Sequence, residues 1–572
     1  MSNVKYLKTY LRFQKKKLTF AYIYKISTTM KKIIKCYFVF TMLAALMGNG
    51  YAQNPYLPLW EYIPDGEPYI FEDPDRPGEM RVYVYGSHDN LRTEYCGLDQ
   101  VVWSAPVNDL SRWRYDGIVF ESKTDANGQL LRPDGKGDLL YAPDVAERVD
   151  ANGKKTYYLY PNNQAGGRKN MVACSDRPDG PFHVCNWSKD NPQETDGPLN
   201  FDPGVFIDND GRVYGYWGFR DSWGAELDPQ TMATVKPGTE VVKDIIPGVG
   251  QNPYGIGSET VFRFFEASSI RKIKDKYVFI YSRWTNNGEF GLHGSSYTLA
   301  YAYSDHPLGP FTYGGTIIDG RGRDTDEQGK VIYTATPGGN THGSILEING
   351  QWYVFYHRQC GTNQFSRQAM VAPISVNVEE GPGGKVTISE GEYTSEGFAI
   401  NGLDPFQCYS AGIACWYTGP EGCIDRFPNY IFSGSYPQPL RPDVKADTPE
   451  PYALTINHNP VVNNTNGSVV GYKYFNFSRI EKQKHLSLLL TLVPKGISGR
   501  IDVMVDSPWT SKGGIVLGSI DLSADMPQQM SKLRIPLKVK RRLNGKHALF
   551  LRFTSDTPAQ SLCDLHYLTF EN

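Results

Sequence analysis

Residues 261–284 read VFRFFEASSIRKIKDKYVFIYSRW. The stretch divides into two strands and a turn. Phe264 to Ile270 is the first expected strand, Lys274-Asp275-Lys276 the turn and Tyr277 to Tyr281 the second. Aromatic and β-branched residues of this kind favour a pleated, half-buried surface. Glu266 stands in the apolar opening of the first strand. An unpaired carboxylate buried there would be expensive, so Glu266 is expected to face a polar cavity or to do chemistry.

The same grammar occurs four more times. Phe201 to Ile207 is followed by Asn209-Asp210-Gly211 and Val213 to Trp217; Ala142 to Ala146 by Ala151-Asn152-Gly153 and Thr156 to Tyr160. His342 to Leu346 is followed by Asn349-Gly350 and Trp352 to Tyr356; Pro64 to Phe71 by a longer turn and Val82 to Tyr85. A third element, CSDRPDGPF at 174–182 and YSDHPLGPF at 303–311, follows the aromatic strand in two copies. Five copies at intervals of roughly 60–80 residues describe a radial β repeat. The expected fold is all-β: a five-bladed propeller followed by a β-sandwich. A sandwich throughout is the alternative, and five ordered copies argue against it.

In a propeller the first strand of each blade lines the central channel. The ionisable residues opening those strands are Asp65, Asp144, Asp202, Glu266 and His342, one per blade. Carboxylates gathered on one axis disfavour one another's ionisation, and perturbed groups of this kind mark functional sites.

Around this core the chain has a plain order. Residues 1–29 are basic and Tyr-rich and read as an over-extended gene start. Met30-Lys31-Lys32, the apolar run from Cys36 to Met47 and Gly50-Tyr51-Ala52 make a secretory signal over 30–52. The apolar run is too short to span a bilayer comfortably. Residues 53–378 hold the propeller, 379–424 a connecting segment packed on it, and 425–572 the sandwich, whose short alternating strands are divided by turn residues. Long Gly/Pro/Asn-rich pieces at 122–138, 238–260 and 314–340 are expected to shape a binding rim. The net charge of −2 gives no electrostatic case for nucleic acid. The eight cysteines after residue 53 form no CxxC pair, which speaks against zinc. Export permits disulfides, and Cys408, Cys415 and Cys423 lie close enough in sequence for one bridge.

Two carboxylates across a sugar-sized gap can cleave a glycosidic bond by acid–base catalysis. Glu266, with Phe264, Phe265 and Ala267 about it, has the surroundings of an acid with a raised pKa; Asp65, before Gly66, has the more polar context of a base. Asp202 could raise the pKa of Glu266 by like-charge repulsion. With these residues in place, the chain resembles glycoside hydrolase family 43, inverting hydrolases built on a five-bladed propeller. The resemblance covers 53 to about 420.

It implies that Asp65 is the general base, although Gly66 stands where the family has proline. It implies that Asp202, in DPGVF, is the pKa modulator and that Glu266, in FEASS, is the general acid. His342, in THGS, is implied to contact substrate, water or a central metal; with carboxylates and water it could hold Ca²⁺ as a structural ion. Asp144, in YAPD, is given a substrate-pocket role, and Arg367, in FSRQ, resembles an arginine that reaches sugar hydroxyls. WYVFYHR at 352–358 also resembles the family. Residues 425–572 resemble carbohydrate-binding module family 6 through GYKYFNF at 471–477 and GGIVLG at 513–518.

The resemblance implies exo-acting release of α-L-arabinofuranose or β-xylose from plant polysaccharide or oligosaccharide, with no required cofactor. Release of galactose from arabinogalactan-type glycans and sugar binding without turnover remain the alternatives. The exported protein is expected to be periplasmic, secreted or at the cell surface. Amino-terminal sequencing of the exported protein is expected to begin Gln53-Asn54-Pro55.

Overall fold

The structure is a computed structural model. It describes residues 52–572 except 92, 252–260, 336–338, 362–363, 420–436, 441–457, 481–484 and 540–542. The expected gene start and signal segment fall outside the described residues, apart from Ala52. No described helix is long and apolar enough to cross a membrane.

Four antiparallel sheets of four strands and one of three follow in chain order. Blade one is Glu67–Glu72, Met80–Tyr85, Asp99–Pro106 and Arg114–Glu121. Blade two is Asp144–Val149, Lys155–Tyr160, Ala173–Ser175 and His183–Val184; blade three is Gly204–Ile207, Val213–Trp217, Trp223–Leu227 and Val242–Lys243. Blade four is Phe264–Ile273, Lys276–Arg283, Thr298–Ser304 and Thr312–Asp319; blade five is Ser344–Ile348, Gln351–Gln359 and Arg367–Ile374. Each of the five repeats therefore forms the inner hairpin of one blade. The two SDxPxGPF stretches connect the third strand to the fourth in blades two and four.

Side-chain alternation along the second strands closes these sheets into a ring. Successive residues of a strand face opposite sides, and each side meets a different blade. Tyr83 and Tyr85 of blade one join Tyr157 and Leu159 of blade two. Tyr160 joins Val213 and Trp217 of blade three, and Tyr214 and Tyr216 join Phe279 and Tyr281 of blade four. Val278 and Ile280 join Val354 and Tyr356 of blade five. Tyr353 and Phe355 then return to Val82 and Val84 of blade one. Five clusters, each shared by two successive blades, complete the circle. A strand with both faces covered reads as a continuous apolar run, as in Tyr277 to Tyr281 within Lys276–Arg283, where every residue is buried.

Tyrosine hydroxyls tie the same seams. Tyr85 donates to Pro178 O of the next blade at 2.6 Å, Tyr160 to Met232 O at 2.9 Å and Tyr216 to Pro307 O at 2.7 Å. At the axis, Gly204 runs so close to blade four that a Cβ would lie 2.5 Å from Ser268 O. The amino-terminal segment finishes blade five from outside. Asn54 is fully buried; its amide donates to Val371 O (2.6 Å) and Thr394 O (3.0 Å) and accepts from Val371 N (3.0 Å). A side chain thus satisfies the free edge of a strand that has no fourth partner.

The carboxy-terminal sandwich has two sheets. One orders 438–439, 461–462, 563–571, 486–494 and 531–537; the other orders 416–418, 469–476, 546–555, 499–505 and 515–522. Tyr409–Ser410 pairs with 563–571 and Trp416–Thr418 with 469–476. The sandwich therefore takes its first strands from the segment expected to be a connection, because their ladder partners lie on the later strands. Its seam with the propeller includes a buried guanidinium: Arg358 of blade five donates to Ala414 O at 2.8 Å and to Gly412 O, while the more exposed Lys546 reaches Glu396 at 2.6 Å. Cys408 and Cys415 are free thiols, one exposed and one buried, and Cys423 lies outside the described residues.

Asn54→Ala would leave three buried backbone groups of blade five and its flank unpaired. It is expected to cost about 2–4 kcal/mol, read as a lower urea midpoint with an unchanged fold by circular dichroism.

Candidate active site

Three carboxylates line one cavity at the end of the axis where the first strands begin. Its walls include Asp65, Asp202, Glu266, His342 and Arg367, and its volume is about 210 Å³. That is below the usual size of a drug-sized ligand site and leaves room for a single sugar ring.

Backbone strain aims these side chains. Asp65 and Asp202 lie two residues before the first residue of their strands, with φ of 61° and 41°, and Ala267, next to Glu266, has φ of 71°. Such values cost non-glycine residues about 1–3 kcal/mol each and gather at functional sites. The strand carrying Glu266 also slips register on both sides of that residue, a bulge that re-aims a side chain. The strained positions support one another: Asp202 Oδ2 accepts from Ala267 N at 3.1 Å.

The environments of the three carboxylates differ. Asp65 Oδ1 accepts from Arg367 Nη1 at 3.1 Å and Oδ2 from Ser87 Oγ at 2.5 Å. Burial works against its charge, but Arg367 and the nearby His357 and His342 hold its carboxyl below the ordinary value of 3.8. Asp65 N donates to His357 Nδ1 at 3.4 Å, and His357 Nε2 lies 2.9 Å from Asn340 O. The His357 proton therefore sits on Nε2, and burial keeps the ring neutral by lowering its pKa to about 3.

Glu266 is pushed the other way. Burial first, then Asp202 and Asp65, raise its carboxyl well above 4.5. Asp202 accepts from Asn162 Nδ2 at 2.7 Å, yet burial and Asp65 raise it too. One guanidinium cannot balance three desolvated carboxylates, so the charge settles on Asp65 and a proton stays with the other pair. The chamber thus holds an ionised carboxylate and a protonated one, the two states that acid–base cleavage needs.

The remaining expected residues fall at different depths. His342 lines the cavity, with Nδ1 3.7 Å from Asp202 and Nε2 3.8 Å from Glu67. Burial lowers its pKa to about 4. Among the described residues neither its ring nitrogens nor Glu67 Oε1 has a hydrogen-bond partner. No group of three or more His, Cys, Asp or Glu among the described residues could hold a metal ion, so these donors suit water or an ion held largely through water. Arg367 is buried at the wall, its Nε and Nη2 both 2.9 Å from Asp89. Two of its nitrogens serve Asp89 and a third the ionised Asp65.

Asp144 is not part of the cavity wall. Its carboxylate accepts from Tyr69 OH at 2.6 Å, Val145 N at 2.7 Å and Val205 N at 2.6 Å. It joins blades one, two and three beneath the site, and from its motif Tyr141 and Ala142 line the wall instead. Of the long pieces expected at the rim, only Gly339 and Asn340 reach the cavity among the described residues. Tyr95, Cys96, Phe219 and Gln364 were missed because they come from loops outside the repeat. An aromatic run flanks Glu266: Phe201, Phe219, Phe265 and Trp284 follow one another at 5.2 Å between ring centroids.

Comparison with known proteins gives the following. The sequence model of glycosyl hydrolases family 43 matches residues 82–381. A xylosidase/arabinosidase of Thermoclostridium stercorarium is 36% identical over 442 residues, 75% of this chain and 84% of the relative. Xylosidase/arabinosidase 43A of Humicola insolens is 28% identical over 48% of this chain and 84% of its own length. Among solved structures, a family 43 arabinoxylan arabinofuranohydrolase from Bacillus subtilis matches 91% of this chain and 98% of its own at 21% identity, with a TM-score of 0.41.

The opposite shifts fix the form of the pH profile. With Asp65 required ionised and Glu266 protonated, kcat/KM is expected to be bell-shaped. Its acidic limb should fall below 3.8 and its basic limb well above 4.5. Arg367→Met removes the main counter-charge, so the acidic limb is expected to move up by about one unit or more.

Proposed function

The chain belongs to glycosyl hydrolases family 43 and is a glycosidase; from that premise we propose that it releases one terminal pentose, α-L-arabinofuranose or β-xylose, with inversion. The substrates are plant polysaccharide side chains or the oligosaccharides derived from them. The observation that carries this reading is the pair of oppositely perturbed carboxylates, Asp65 and Glu266, facing one sugar-sized cavity. The names of the xylosidase/arabinosidase relatives support the pentose.

Glu266 donates its proton to the leaving glycosidic oxygen. Asp65 takes a proton from a water on the opposite face of the ring, and that water attacks the anomeric carbon in one step. Asp202 keeps Glu266 protonated between turnovers through the charge they compete for. Arg367 holds Asp65 ionised, and its place on the wall also lets it meet a sugar hydroxyl. The aromatic run beside Glu266 lies on the leaving-group side and offers apolar faces to the next sugar. A structural Ca²⁺, where bound, would be held at His342, largely through water, and would supply fixed positive charge; no step depends on it. Export through the segment at 30–52 would bring the enzyme to these substrates.

The test is hydrolysis of p-nitrophenyl α-L-arabinofuranoside, β-xyloside and β-galactoside, with products from arabinoxylan and arabinan identified. Glu266→Gln and Asp65→Asn are each expected to lower kcat by about 10²–10⁴-fold, and the first-formed sugar should carry the inverted anomeric signal in NMR. Inert wild-type protein that still binds oligosaccharide would favour a sugar-binding propeller, and release of galactose alone would favour the galactosidase reading.

A further inference from the structure

Among the buried titratable residues that the mechanism leaves unused is His88. His88 is 1% exposed and lies between two carboxylates, with Nδ1 2.5 Å from Asp99 Oδ1 and Nε2 3.3 Å from Glu61 Oε1. Burial alone would discharge it, but Asp99 and Glu61 raise its pKa to about 10. It is an imidazolium throughout the range in which the enzyme would work. Both carboxylates are themselves held: Glu61 accepts from Trp103 Nε1 at 2.9 Å and Asp99 from Asn90 Nδ2 at 3.2 Å.

The neighbours of His88 are the two residues that hold Asp65. Ser87 donates to Asp65 Oδ2, and Asp89 carries Arg367, which reaches Asp65 Oδ1. By these contacts Ser87 and Asp89 reach toward the site, while the His88 ring lies between the two carboxylates of the clamp. Asp89 N also donates to Tyr62 O at 2.9 Å, three residues before Asp65. The turn bearing Asp65 and the segment bearing its partners are therefore fastened together at this point.

We propose that the Glu61–His88–Asp99 clamp is a positioning device for the base, fixing Ser87 and Asp89 so that Asp65 stays ionised and aimed. His88 touches neither substrate nor Asp65; it acts through its neighbours. This rests on Asp65 being the base. The titratable and charged groups facing Asp65 are Arg367, His357 and His342, with Asp202 and Glu266 across the cavity. Those facing His88 are Glu61 and Asp99. Loosening the clamp lengthens the Ser87 and Arg367 contacts together, so the pKa of Asp65 rises.

The test is the pH dependence of kcat/KM for full-length His88→Gln, Ser87→Ala and the double variant, with Arg367→Met as the reference for a shifted limb. His88→Gln is expected to move the acidic limb upward and to lower kcat about tenfold or more at pH 5, with KM and the basic limb unchanged. The double variant should show no larger shift than the greater single one, since both act on the same contact. If His88→Gln does not fold, Asp99→Asn, which removes one arm of the clamp, is expected to move the same limb in the same direction. A lowered melting temperature with the acidic limb where wild type has it, or shifts that add in the double variant, would overturn the proposal. Full activity in Asp65→Asn would instead overturn the assignment of the base, so the two failures are separable.

Discussion

Every second strand of the propeller is buried on both faces, and the ring stands because each face meets a different blade. Tyr83 and Tyr85 look toward blade two while Val82 and Val84 look toward blade five. A slip of one residue in any of these strands would exchange its two faces and break both seams. The same closure leaves the first strands no outlet except along the axis. Whatever polar groups those strands carry at their beginnings must share one small chamber.

That chamber turns geometry into chemistry. Asp65, Asp202 and Glu266 come from sequence positions far apart, yet they share one desolvated volume with one guanidinium. Arg367 is committed to Asp65 and Asp89, so Asp65 takes the charge and Glu266 is left protonated. Left-handed backbone at Asp65, Asp202 and Ala267 is the local cost of bringing the groups together. Below them Glu67, Arg271, Tyr69 and Asp144 form a second polar layer, with Arg271 2.8 Å from Glu67 and Asp144 bonded to three blades. This layer answers the polar backbone of the closely approaching inner strands and does not reach the cavity.

The sandwich is joined to the propeller by buried polar contacts. Arg358 leaves the middle strand of blade five to bond the carbonyls of residues 412 and 414, and Lys473 spans to Asp324 at 2.8 Å on a hairpin of the propeller. Ile332 of that hairpin enters the core formed by Trp416, Met504 and Phe550. Interfaces of this kind resist relative motion more than exposed ion pairs do, because unpairing a buried guanidinium is costly. The two parts therefore share residues that the alternation of each strand alone does not assign to either.

The repeat of a short inner strand, a turn and an aromatic strand by itself determined the number of blades, because local pattern and turn chemistry repeat wherever the same hairpin is built. The same repeat picked out Asp65, Asp202, Glu266 and His342, since residues at equivalent positions of a radial fold must converge. Asp144 occupied an equivalent position and was misplaced: three donors from three blades claim its carboxylate, and those donors are neighbours only in space. The loop residues Ser87, Asp89, Tyr95 and Phe219 carry no periodic signal, and the partners of His88 lie 27 residues before it, at Glu61, and 11 after, at Asp99. Which carboxylate holds the charge was likewise decided by tertiary structure alone, because ionisation in a dry chamber depends on which cation lies nearest, a distance that no linear pattern encodes.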